Sequence, residues 1–159
     1  MEYLQKVMQN EFGTIFFYLL LSIGFTMPTP IVWLPVSIFY LIGSAEFIKR
    51  STFAPLKIAK VQEFANLVSS KKNDIKIARA YIELFSVFYY LLLVAMGHFS
   101  IITLFIVGHY VKIKYKLNQY NLYAINTTRD VALEKADSIP MAGFLVKKVV
   151  SGVFWLFTV

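Results

Sequence analysis

The stretch Phe12–Ala45, FGTIFFYLLLSIGFTMPTPIVWLPVSIFYLIGSA, runs for 34 residues without an Asp, Glu, Lys or Arg. About 20 apolar residues cross the hydrocarbon core of a bilayer, so this run is too long for one span and suits two short ones. Met27-Pro28-Thr29-Pro30 interrupts it, with Pro35 close behind. Proline lacks a backbone donor and pushes the residue before it out of the helical region, so the chain is expected to turn there. The reading is one helix over Glu11–Met27 and a second over Ile31–Lys49. Pro35 then falls in or near the first turn, where a missing donor costs least.

The pattern returns downstream. Between Glu83 and Lys112 lie 28 residues without an acid, Lys or Arg, and Gly97-His98 offers the turn. A third helix is expected after Lys71-Lys72-Asn73-Asp74, with Asn73 or Asp74 as N-cap, entering the membrane near Tyr81. A fourth runs from Phe99 into Tyr115. Spans of about 16 residues rise about 24 Å against a core of roughly 30 Å. Such helices need a thin or locally thinned bilayer, or else the hairpins penetrate only part of the way.

Composition agrees. Of 159 residues, 58% are hydrophobic and 16% charged, and mean hydropathy is +0.62. Soluble domains carry about 25% charged residues, and a chain this short cannot bury such an excess in one aqueous core. Cysteine is absent, which removes disulfides and thiolate metal sites. The +7 net charge does not argue for nucleic acid, because the bases flank apolar spans and anionic headgroups are the nearer counter-charge. No cleavable signal peptide is expected, since 1–11 is polar and the following run is too long.

The 16 Lys and Arg residues divide sharply. Lys6 precedes the first helix. Eight lie between the hairpins, from Lys49 to Arg79, and seven follow the fourth helix, from Lys112 to Lys148. The two tight turns hold none. The positive-inside rule puts both termini and the linker in the cytoplasm. Asn126-Thr127-Thr128 is then a cytoplasmic sequon, and a glycan there would overturn the topology. The fold class is an all-α integral membrane protein with four short transmembrane helices in two hairpins plus cytoplasmic interfacial helices. Its segments are 11–49, 50–74, 75–115 and 116–159.

Within the linker, Leu56–Ser70 places Ile58, Val61, Ala65 and Val68 at helical spacing, with Pro55 at a suitable start. It reads equally as a helix in the headgroup layer or as one packed on the ends of the bundle. After the fourth span, Lys112, Lys114, Tyr115 and Lys116 interleave bases with an aromatic, as at a membrane interface. The tail 141–159 carries Lys147, Lys148, Phe154, Trp155 and Phe157. Its 11-residue apolar end, Val149–Val159, is too short to span and suits a helix lying flat in the interface. The competing reading docks it on the protein's own membrane domain.

Chemistry is sparse. His98 and His109 lack the i, i+4 spacing of a metal pair. Glu46 and Glu83 lie one turn from Lys49 and Arg79, which reads as two end-of-helix ion pairs. No phosphate loop, nucleophile elbow or paired carboxylates appear. A non-enzyme is expected, without cofactor, metal or small-molecule substrate.

Three stretches carry a resemblance: Trp33–Tyr40 running into Phe47-Ile48-Lys49-Arg50, Tyr110–Tyr123 with Asn118-Gln119-Tyr120, and Phe144–Lys148 before the aromatic end. Together they resemble the transmembrane protein thirty-three family of the endoplasmic reticulum and nuclear envelope, which includes yeast pore-membrane relatives. Members commonly carry a further N-terminal hydrophobic segment. The resemblance implies shaping of tubular endoplasmic reticulum beside reticulon-like proteins, organisation of nuclear pores or the nuclear envelope, and a C-terminal amphipathic region (here 141–159) that meets curved membrane. Two other classes stand beside it. One is an accessory subunit of a larger complex in the endoplasmic reticulum or mitochondrion. The other is a small carrier or channel, which the lack of strongly polar groups at mid-membrane disfavours.

Overall fold

A computed structural model describes Gly13 and residues 30–52, 58–98, 100–139 and 143–158. The described residues form helices and no strands: α1 Pro30–Arg50, α2 Ala59–Ser70, α3 Lys72–Ala95, α4 Ile101–Leu117, α5 Gln119–Asp137 and α6 Gly143–Thr158. Apart from Gly13, the expected first span, 11–27, lies outside the described residues, as do Pro55 and the other linker residues 53–57. Among those described, α3 is the helix long and apolar enough to cross a membrane. It has 24 residues, a rise of about 36 Å that exceeds the bilayer core. The 17 residues of α4 give only about 26 Å.

The helix ends follow from local chemistry, with two departures from expectation. Pro30 opens α1, and Pro35 sits inside the helix with its ring buried. That is beyond the free amides of the first turn, so α1 loses a backbone bond there. Asn73 and Asp74 do not cap α3. Lys71 is the N-cap without a side-chain bond, and Asp74 lies in the first turn, where a carboxylate favours the helix dipole. The reason is that α2 and α3 abut: the amide of Lys71 donates to Leu67 O at 3.1 Å, and Lys71 O accepts from Ile75 at 2.9 Å.

The turn at Gly97 is the expected one. Gly97 has φ +76°, its amide donates to Val94 O at 3.0 Å, and His98 donates to Leu93 O at 2.9 Å. That pair of bonds is a Schellman motif, which needs a left-handed residue at this position. Ser100 then caps α4 by accepting from Ile102 N at 3.2 Å. Asn118 ends α4 and caps α5, accepting from Tyr120 N at 2.9 Å.

Each helix turns one stripe inward. Thr103, Val107, Tyr110, Val111 and Lys114 line the buried face of α4, and Ala80, Glu83, Leu84, Val87 and Tyr90 that of α3. Leu84, Val87, Tyr90, Val107, Tyr110 and Val111 of these faces build the main core with Val36, Ile125 and Phe154. A smaller cluster of Ala45, Ala65 and Val68, flanked by Ile48 and Ile75, joins α1, α2 and the start of α3. The polar helix α5 does not stand apart. It packs along α3, α4 and α6, closing the α3–α4 hairpin on one side.

Candidate functional site

The outer faces are apolar. On α4, Ile101, Ile102, Phe105 and Ile106 are exposed, with Phe105 at 75%. On α3 and its C-cap, Phe85, Tyr89, Leu92 and Met96 follow at spacings of three and four and are likewise exposed. Monomeric soluble proteins rarely present contiguous apolar patches beyond a few hundred Å². A helix apolar all round is buried, in a larger protein core or in a bilayer. A shallow open groove lined by Phe39, Tyr40, Gly43, Ser44, Phe47 and Ile48 runs along α1.

The residues expected at the membrane interface divide by face. Lys116 is exposed, Lys112 and Tyr115 are half-buried, and Lys114 is buried with its Nζ 5.7 Å from the centroid of Tyr110. On α6, Phe154 enters the core with Val150 and Val153 beside it, while Phe144, Leu145, Val149 and Trp155 point outward. Lys147 forms an ion pair with Asp137 at the end of α5. Lys148 sits over the ring of Phe144, 4.6 Å from its centroid. The side chain of Phe157 lies outside the described set. So α6 docks on the protein and keeps an apolar outer face.

The ion pairs depart from expectation. Glu46 pairs with Lys72 across the α1–α3 junction, not with Lys49 one turn away on its own helix. Arg79 and Glu83 do face each other, Nε to Oε1 at 3.5 Å, but the pair is sealed in, with side chains 6% and 0% exposed. Asn121 on α5 completes it, its Nδ2 donating to Glu83 Oε2 at 2.8 Å. Nearby, Tyr120 donates to Asn73 Oδ1 at 2.9 Å, and Lys76 lies 5.4 Å over the Tyr120 ring. Removing two charges from water costs several kcal/mol per ion unless geometry and further hydrogen bonds offset it. Here the third partner comes from α5, so this buried clasp ties the polar helix to the hairpin.

The spacing of Arg79 and Glu83 was legible in the sequence. Asn121 was missed, because nothing in a single sequence links positions 38 residues apart. His98 and His109 do not meet. His109 stacks on Phe105 with centroids 6.2 Å apart, and among the described residues no acidic, His or Cys group could hold a metal ion.

The family model for transmembrane protein 33/nucleoporin POM33 matches residues 1–155. This chain belongs to that family. Membership makes it a membrane protein of the endoplasmic reticulum and nuclear pore membrane, in a family of non-enzymatic proteins. A search of the curated proteins and one of the solved structures each returned no match. The transmembrane protein 33/POM33 assignment agrees with a chain whose outer faces are apolar and whose buried polar groups tie helices together.

Proposed function

We propose that this member of the transmembrane protein 33/POM33 family shapes or organises tubular endoplasmic-reticulum and nuclear-envelope membrane, and scaffolds protein partners there. Two hairpins, 11–49 and 75–115, would cross from the cytoplasm, with both termini and the linker on the cytoplasmic side. The observation that supports this most is α6: Val150, Val153 and Phe154 hold it to the bundle while Phe144, Leu145, Val149 and Trp155 remain outward. A helix fixed to its own membrane domain, with an apolar outer face and Lys148 beside it, adds area to one leaflet. Added area on the cytoplasmic side bends the bilayer toward the cytoplasm. Lys112, Tyr115 and Lys116 belong to the same interface.

The test is reconstitution of the full chain into large liposomes at increasing protein-to-lipid ratio. Tubules or smaller vesicles are expected, and less reshaping with W155E. Unchanged diameters at high loading would remove the proposal. The open groove on α1, floored by Gly43 and Ser44, favours a second reading as an accessory subunit, because small residues let helices approach closely in lipid. Stoichiometric co-purification with one defined complex, lost on G43F, would favour it.

A further inference from the structure

We propose that α2 contacts the anionic surface of the cytoplasmic leaflet along one flank, the stripe Lys60–Phe64–Leu67–Lys71. The inference rests on the reading that α1 and α3 cross the bilayer, and it names a lipid contact on a helix that the tail-based reading does not use. Spacings of four, three and four place these residues in one row on a helix. Phe64 is 49% and Leu67 59% exposed, and Lys60 and Lys71 are exposed at either end.

The roll of α2 about its own axis is fixed. Ala65 is fully buried and packs with Val68 against Ala45 of α1. Such an alanine contact leaves no room for rotation, and Gln62 Nε2 adds a bond to Ile48 O at 3.4 Å. The flank beyond the stripe is polar, carrying Glu63, Asn66 and Ser70. So α2 has three faces: one packed on the protein, one polar, and one on which two large apolar side chains lie between two lysines.

Connectivity says what meets the third face. α2 packs on Ala45 and Ile48 near the C-terminal end of α1 and runs directly into α3 at Lys72, so it is held where those helices leave the hydrocarbon. A helix pinned there lies in the headgroup layer. Phe64 and Leu67 then reach the acyl boundary while Lys60 and Lys71 meet lipid phosphates. Glu46 is already engaged by Lys72, and Glu63, on the polar flank one turn from Lys60, offsets one of the two stripe lysines and leaves the other uncompensated on α2.

The chain has no cysteine, so single-cysteine variants of the full protein report one site each. F64C, L67C, N66C and L92C would be labelled with bimane in vesicles of phosphatidylcholine with or without phosphatidylserine. Quenching by a shallow lipid-borne nitroxide is compared with quenching by aqueous iodide. Expected is a several-fold preference for the lipid quencher at positions 64 and 67 and the reverse at 66. Adding K60E and K71E should bring the lipid quenching at 64 in serine-lipid vesicles down to its value in neutral ones. Equal iodide access at 64, 66 and 67 overturns the proposal. So does shielding of 64 and 67 from both quenchers, which means that protein covers the stripe. L92C on the outer face of α3 separates the failures. If it is quenched by lipid while 64 and 67 are not, the stripe alone falls. If it too escapes lipid quenching, the spanning reading falls and takes the stripe with it.

Discussion

Replacing Glu83 by alanine leaves Arg79 in a site where its side chain is 6% exposed, and takes the acceptor from Asn121 Nδ2. Breaking a buried pair from one side costs about 3–5 kcal/mol, because the surviving charge stays desolvated. Asn121→Ala removes only a hydrogen bond to a charged group, worth about 1.5–3 kcal/mol. Interhelical polar contacts inside bilayer proteins average nearer 0.6 kcal/mol, but there the partners are neutral and lipid is close. With Glu83 fully buried in protein, the charge-assisted value should win. The assay is unfolding of the purified protein in mixed micelles on titration with a denaturing detergent, followed by helical circular dichroism. E83A should lose more than N121A, and a double-mutant cycle between them should show a coupling of about 1.5–3 kcal/mol. R79L/E83L, which removes both charges and keeps bulk, should recover most of the loss, since apolar replacements of buried pairs are often neutral or better. Additivity of E83A and N121A within about 0.5 kcal/mol, or R79L/E83L as damaging as E83A, would refute the clasp.

Four further outcomes use the same unfolding assay. Gly97→Ala should destabilise by about 1 kcal/mol; nothing lies within 4 Å of the added methyl, so the cost is the left-handed backbone alone. Gly143→Ala should cost about 1–3 kcal/mol, because its Cβ would meet the backbone oxygen of Ala136 at 2.5 Å. Gly152→Ala, open on all sides within a helix, should instead be neutral or stabilise by up to about 1 kcal/mol. Asn118→Ala removes a cap from α5 and should cost about 1 kcal/mol, with faster amide exchange in the first turn of α5 as a second check.

Much of the fold could be read from local chemistry. The Gly97 turn was legible because Gly97-His98 breaks the uncharged run near its middle, and glycine takes φ +76° without strain. The positions of α3 and α4 followed from the uncharged run between Glu83 and Lys112 and its break at Gly97-His98. The position of α5 was not legible: its sequence, QYNLYAINTTRDVALEKAD, is polar enough to suggest a solvated helix, and the four residues it buries, Asn121, Ala124, Ile125 and Ala136, form no obvious apolar stripe. Its docking depends on Glu83, far away in the chain. The lysines expected at the interface divide between faces, because composition does not say which turn inward. Lys114 shares a face with Tyr110 and Val111 and is buried, whereas Lys116 is exposed. Glu46 likewise chose Lys72 over Lys49 because tertiary packing brings α3 to it.

The measurement that bears most directly on the topology is cysteine accessibility at the two ends of the α3–α4 hairpin, in sealed microsomes with the cytoplasmic face outward. H98C, K71C and R129C would each be placed in the cysteine-free chain and exposed to a membrane-impermeant maleimide. If the hairpin crosses the bilayer twice, K71C and R129C react at once and H98C reacts only after the membrane is permeabilised. Labelling of H98C in intact microsomes at the rate of K71C would show that the Gly97 turn never reaches the far side, and would contradict a spanning hairpin.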